Sequence, residues 1–252
     1  MITLLSSELN YFYLTMNDAQ KRKIGLCTRD YIADILKLKE FLNNGLQGAE
    51  NTNPLNAEKN RHLLTKAKEL IGKILNATYS HNYGNERLQL PSGQKIDINL
   101  ASSGQQESVW ITNILFFCIL QGKKSAFIIE EPESNLYPET QKLIIDLIAL
   151  TANQGNNIII TTHSPYILGS INNLLYAGQF SKQNTETATK ASKIIDKDFW
   201  IDGADLSAWH VKNGTVTNCI DDEIGLIQDE LIDEISGVIN KQYADLLNIE
   251  ED

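Results

Sequence analysis

The stretch that most constrains this chain runs from Ser125 to Pro138 and reads SAFIIEEPESNLYP. Ser125, Ala126, Phe127, Ile128 and Ile129 form an apolar run too short for a helix, broken at once by Glu130, Glu131, Pro132 and Glu133. That pattern predicts a buried strand of a parallel sheet, apolar on both faces and ended by a breaker. Its acidic end would lie at the C-terminal edge of the sheet, where open α/β folds bind ligands. Side chains alternate along a strand, so Glu130 and Glu131 point apart and have separate jobs. One carboxylate suits Mg²⁺ and the other suits the orienting of a water. Strand ends are often acidic with no function attached, which explains one Glu more easily than three around a Pro.

The flanks sharpen the reading. Upstream, Leu100 to Glu107 reads LASSGQQE and leads into an apolar stretch from Val109 to Leu120. Small hydroxyl residues and a Gly therefore stand where a helix begins, and such a terminus offers unpaired backbone N–H groups to an anion. Downstream, Asn157 to Thr162 (NIIITT) predicts a second buried strand, and His163, Ser164 and Pro165 follow at its end.

In this order the motifs resemble the C-terminal half of an ABC-type ATPase head, of the soluble kind shared by RecF-like, SMC-like and OLD-family proteins. The resemblance covers Tyr79 to Ala177. Ala101 to Gln105 is similar to the signature usually written LSGGQ, with Ser102 at its serine and Gly104 at its second glycine; Ala101 and Ser103 depart from that spelling. Phe127 to Glu131 resembles Walker B, with Glu130 where the magnesium-binding Asp usually stands. By the same resemblance Glu131 falls on the catalytic base, Ser134 to Pro138 on the D-loop, and His163 on the switch histidine that senses the γ-phosphate. The fold implied is α/β, a parallel-sheet lobe of the P-loop NTPase superfamily.

A complete nucleotide head also needs a G-x-x-x-x-G-K-[ST] loop, whose backbone amides wrap the phosphates. This sequence has none. Gly122, Lys123, Lys124 and Ser125 imitate its end, but Phe117 stands where the first Gly belongs, and the stretch follows a helix and opens a strand. It reads as a solvated turn. The chain is thus expected to form one half of a nucleotide site.

With 252 residues, 42% of them hydrophobic, the chain is long enough to bury a sizeable core. Cys27, Cys118 and Cys219 lie far apart with no metal-ligand spacing, which fits reduced thiols and a cytoplasmic protein. No positively charged leader opens the chain, and Ile114 to Leu120 is far short of a membrane span. A net charge of −10 argues against a broad DNA-binding face, although Lys21, Arg22 and Lys23 form a small basic cluster.

Three regions are expected. Residues 1–78 hold a helical hairpin, Thr28 to Leu46 and Asn56 to Asn76, around a polar loop from Gly48 to Asn56 that contains Pro54. Residues 79–178 hold the ATPase core: strands Glu86 to Leu90 and Lys95 to Ile98 around Pro91–Gly93, a buried helix after Gly104, and a helix from Pro138 to Ala152. A further helix begins near Tyr166. Residues 179–252 hold a surface excursion within Gly178 to Ala191, strands Phe199 to Ile201 and Leu206 to Ile220 with a turn at Asn213–Gly214, and an amphipathic helical tail from Asp222. His210, remote from any cluster, reads as structural.

In heads of the resembled kind, ATP is sandwiched between two subunits. Ser102, Ser103, Gly104 and Gln105 would then act on the γ-phosphate in trans, with Glu130 on Mg²⁺ and Glu131 and His163 in cis. The partners implied are a P-loop lobe or upstream segment, and a second copy that closes an ATP-sandwiched homodimer. The process implied by analogy is DNA repair or phage defence. The alternative is a non-hydrolytic dimerisation or regulatory module descended from such an ATPase.

Overall fold

The structure is a computed structural model and describes residues 13, 15–42, 44–82, 85–228 and 237–244. The chain divides into two compact units, Met1–Thr161 and Thr162–Asp252.

The first unit opens with helices α1 (Asp18–Lys21), α2 (Leu26–Phe41), α3 (Gly45–Thr52), α4 (Pro54–Lys59) and α5 (Arg61–Leu75). The loop expected over Gly48 to Asn56 is therefore mostly helical. Pro54 is compatible with this because it stands at the first turn of α4, where its missing N–H has no intrahelical partner to lose. α5 presents Leu64, Ala67, Leu70, Ile71, Ile74 and Leu75 as a buried stripe at i, i+3, i+4 spacing. An antiparallel meander follows, β1 (Thr78–Asn82), β2 (Asn85–Gln89) and β3 (Lys95–Asp97). The β2–β3 turn at Pro91–Gly93 is closed by Gly93 N–H donating to Leu90 O at 2.8 Å.

Helix α6 (Ser103–Gln121) is buried nearly all round, through Val109, Trp110, Leu115, Phe116, Ile119 and Leu120. Strand β4 (Ala126–Glu130), helix α7 (Pro138–Ala152) and strand β5 (Asn157–Thr161) complete the unit, with β4 and β5 parallel and Ile128 opposite Ile159. α5 packs on both α6 and α7, and the three form the core. Burial of β4 on both faces, expected from its composition, is not found. Ile129 is buried, but Ile128 is 67 % exposed and Ile159 60 % exposed. Among the described residues this parallel pair has no third strand, and one of its faces is uncovered.

A buried network ties α2, the meander and α6 together. Lys39 Nζ lies 2.6 Å from Glu86 Oε2 and 5.0 Å from the centre of the Trp110 ring, while the Tyr79 hydroxyl donates to Glu86 Oε1 at 2.9 Å. Burial, reinforced by the adjacent Glu86 carboxylate, pushes the Tyr79 hydroxyl far above its usual range, so it keeps the proton it donates.

The second unit holds α8 (Pro165–Gln179), α9 (Thr185–Ser192) and the hairpin β6 (Trp209–Lys212) with β7 (Thr215–Asn218). The hairpin turns at Asn213 and Gly214, both at positive φ, as an Asn-Gly turn requires. The expected surface excursion instead folds as a short 3₁₀ turn and α9, held by packing of Ala188 against Trp200 and Ala177. Phe199 to Ile201 is not a strand: Phe199 ends a 3₁₀ turn, and the Trp200 indole N–H donates to Ile195 O at 2.8 Å. After the hairpin, residues 222–228 form a turn closed by an Ile220–Ile227 bridge rather than the start of a helix. Residues 237–244 are helical, and the rest of the expected tail lies outside the described residues.

Candidate functional site

The site begins at the N-terminus of α6. Ser102 is its N-cap: the hydroxyl oxygen accepts from Gln105 N–H at 3.3 Å, and Gln105 Oε1 accepts from Ser102 N–H at 3.2 Å. This capping box satisfies two of the donors that a helix start leaves orphaned. Gln105 is also anchored outward, its Nε2 donating to Leu75 O at the end of α5 at 2.8 Å. Gln106 Nε2 donates to Ala101 O at 2.9 Å, so the loop before the helix is held from both sides. Ser102 and Ser103 remain exposed, and Gly104 is buried. By helix geometry the Ser103 and Gly104 amides have no intrahelical acceptor, which leaves a positive end suited to an anion.

The acidic end of β4 is built differently. Glu130 is the last residue of the strand and is exposed. Glu131 leaves the strand alternation, because its backbone takes the left-handed conformation with φ +46°. Its N–H donates to Thr161 O on β5 at 2.8 Å, and its carbonyl accepts from Ser134 N–H at 2.9 Å. The Ser134 hydroxyl reaches Glu131 Oε2 at 3.3 Å. Asn135, at φ +58°, ends the turn, and Leu136 N–H bonds Glu133 O at 3.0 Å. An L residue with a long side chain pays about 1–2 kcal/mol for that conformation, so the surrounding bonds must hold Glu131 there.

These two features, far apart in sequence, meet in space. A Cβ on Gly104 would stand 2.4 Å from the carbonyl oxygen of Asn135, a distance no side chain tolerates, so only glycine lets the helix start approach the turn. Asn135 Nδ2 then donates to both carboxylate oxygens of Glu107 at 3.1 Å. The pairing of Glu107 with Asn135 has no clear sequence signature. The signal available was modest: Asn is among the few residues that adopt left-handed backbone readily, so its place in a short turn was a hint.

His163 belongs to the second unit and is exposed. It lies between Thr162, whose Oγ1 accepts from Ser164 N–H at 3.0 Å, and Ser164, whose hydroxyl oxygen caps α8 by accepting from Tyr166 N–H at 3.2 Å.

Among the described residues, no three His, Cys, Asp or Glu side chains gather to hold a metal ion. Mg²⁺ commonly takes one or two carboxylates together with water and phosphate oxygens rather than an all-protein cage, and Glu130 is an exposed carboxylate of the kind that ion takes. Among the described residues, no helix is long and apolar enough to cross a membrane.

Comparison with curated proteins gives no match. Comparison with protein families matches residues 10–168, more than half of the chain, to the AAA ATPase domain. That span takes in the α6 start, the acidic turn after β4 and His163, and the chain belongs to the AAA ATPase domain family.

Proposed function

We propose that the chain is the C-terminal lobe of an ATP-hydrolysing head of the ABC type, working with a P-loop lobe that supplies most of the phosphate binding. In this reading Ser102, Ser103, Gly104 and Gln105 face the γ-phosphate of a nucleotide held by a second copy. Glu130 is a ligand to Mg²⁺, which when bound neutralises charge on the phosphates. Glu131 accepts the proton of the attacking water, and His163 contacts the γ-phosphate. The α6 terminus offers amides and a dipole to the anion, a contribution of about 0.3–2 kcal/mol depending on burial.

The observation that carries the reading is the backbone of Glu131. A glutamate held at φ +46° by bonds to Thr161 and Ser134 is in a conformation unfavourable for its side chain, and such strain clusters at functional sites. The exposed Ile128 and Ile159 support the lobe reading, since a parallel sheet is ordinarily covered on both faces. In an assembly completed by a P-loop lobe, Glu131→Gln should lower ATP turnover about a hundredfold while nucleotide binding is retained. Wild-type turnover in that variant would overturn the assignment.

A further inference from the structure

We propose that Glu107 and Asn135 form a latch that sets the position of the Glu131 turn from the start of α6. They are positioning residues, and their importance for catalysis rests on the reading of Glu131 given above.

The geometry consists of two contacts side by side. The first is the backbone seat of Asn135 O against Gly104, too close to admit even a methyl group. The second is the Asn135 amide, which donates to both oxygens of the Glu107 carboxylate at 3.1 Å, at an exposed position. Gly104 and Glu107 are three apart on α6, so they lie on neighbouring turns of one face and grip one residue together. Asn135 in turn closes a short turn held by backbone hydrogen bonds from Ser134 and Leu136. Ser134 N–H and the Ser134 hydroxyl both bond Glu131, and Glu131 N–H is fixed to β5. Between the Glu131 backbone and α6 there is therefore an unbroken chain of bonded neighbours only a few residues long.

The same end of α6 carries the Ser103 and Gly104 amides, which have no intrahelical acceptor. The latch thereby ties the Glu131 turn to the start of α6, so that the position of the helix start sets the aim of the acid. Two bonds from one amide to one carboxylate fix orientation as well as distance.

The test is heteronuclear NMR with amide exchange on the full chain without nucleotide, so its outcome does not depend on whether Glu131 activates water. Glu107→Ala should shift the Ser134 and Leu136 amide resonances and speed their exchange by about tenfold. Asn135→Gly, which keeps the left-handed backbone, should do the same to the Gln105 and Gln106 amides. Asn135→Asp sets two carboxylates against each other and should break the latch from both sides. The double variant Glu107→Gln/Asn135→Asp exchanges donor and acceptor and should restore both sets of amides. Leu147 and Leu150 amides in α7 should be unchanged throughout, which separates the latch from general destabilisation. Perturbation confined to the mutated side, or a double variant no better than Asn135→Asp alone, would overturn the proposal.

Discussion

Gln105 donates from Nε2 to the carbonyl oxygen of Leu75 at 2.8 Å, closing the C-terminal end of α5 with a side chain from the N-terminal turn of α6. Its Oε1 meanwhile accepts from Ser102 N–H at 3.2 Å. Both ends of one amide are thus used to fix the helix start, and the two are separable. Gln105→Glu keeps the acceptor but replaces the donor with a carboxylate aimed at a carbonyl. It should cost about 1–3 kcal/mol, read as a lower urea midpoint, whereas Gln105→Ala should cost about 0.5–2 kcal/mol. A glutamate variant as stable as wild type would mean that the Leu75 bond contributes nothing.

The strain at Glu131 predicts a trade between stability and activity. Glu131→Asn places a residue tolerant of left-handed backbone at φ +46° and should raise the stability of the chain by about 1 kcal/mol. Glu131→Gln, with the same backbone preference as Glu, should leave stability nearly unchanged. Thermal melts of the two variants side by side read the difference, and equal melting temperatures would show that the turn stores no strain.

Asp146 on α7 is buried, bonded through Oδ2 to Lys142, with no hydrogen-bond partner for Oδ1 among the described residues. Burial raises its pKa above the usual carboxylate value, only partly opposed by the Lys142 bond and by the charges of Lys142 and Lys73. The folded state therefore holds this proton more tightly than the unfolded one. Stability from this group is present at low pH and is lost as pH rises from the unfolded pKa through the folded one. Asp146→Asn should match or exceed wild-type stability at pH 8, with wild type gaining on it as pH falls toward 4. Urea unfolding at both pH values reads the crossing, and parallel curves would count against it.

The chain alone should hold nucleotide weakly. Hydroxyls and amides at one helix start meet a well-hydrated polyphosphate across an open surface, where desolvation cancels most of the gain. Binding no tighter than about millimolar is expected. A ligand at a hundred times its Kd would stabilise the fold by about 2.7 kcal/mol, so 1 mM Mg-ATP should leave the melting temperature unmoved. A reproducible rise of several degrees would show a nucleotide site in the chain beyond the residues named above.

The parts of the fold legible in the sequence are those where one signal dominates. The run from Ala126 to Ile129 and its acidic breaker gave β4, Pro138 gave the start of α7, and Asn213–Gly214 gave the hairpin turn. The missed helices share a physical cause. α3 buries Gly45 and Ala49, and α9 buries Ala188 alone, so neither carries an apolar stripe from which a period could be read. Trp200 looked like strand material because aromatics favour strands, but its indole fills the space beside Ala177 and Ala188. In the candidate site, the spacing of Ser102, Gly104, Glu130 and Glu131 was visible. The bond from Asn135 to Glu107 was not, since a contact across 28 residues leaves no local trace.

The bare face of the β4–β5 pair bears on how the protein can be handled. Ile128 and Ile159 sit side by side in register with little cover, on a pair that gains no further strand among the described residues. Unpaired strand edges beside apolar surface are where polypeptides stick to one another. A charge of −10 opposes this by mutual repulsion, and salt weakens that repulsion. Preparations are thus expected to stay dispersed in dilute buffer and to form soluble aggregates as ionic strength rises, the reverse of an assembly held by ion pairs.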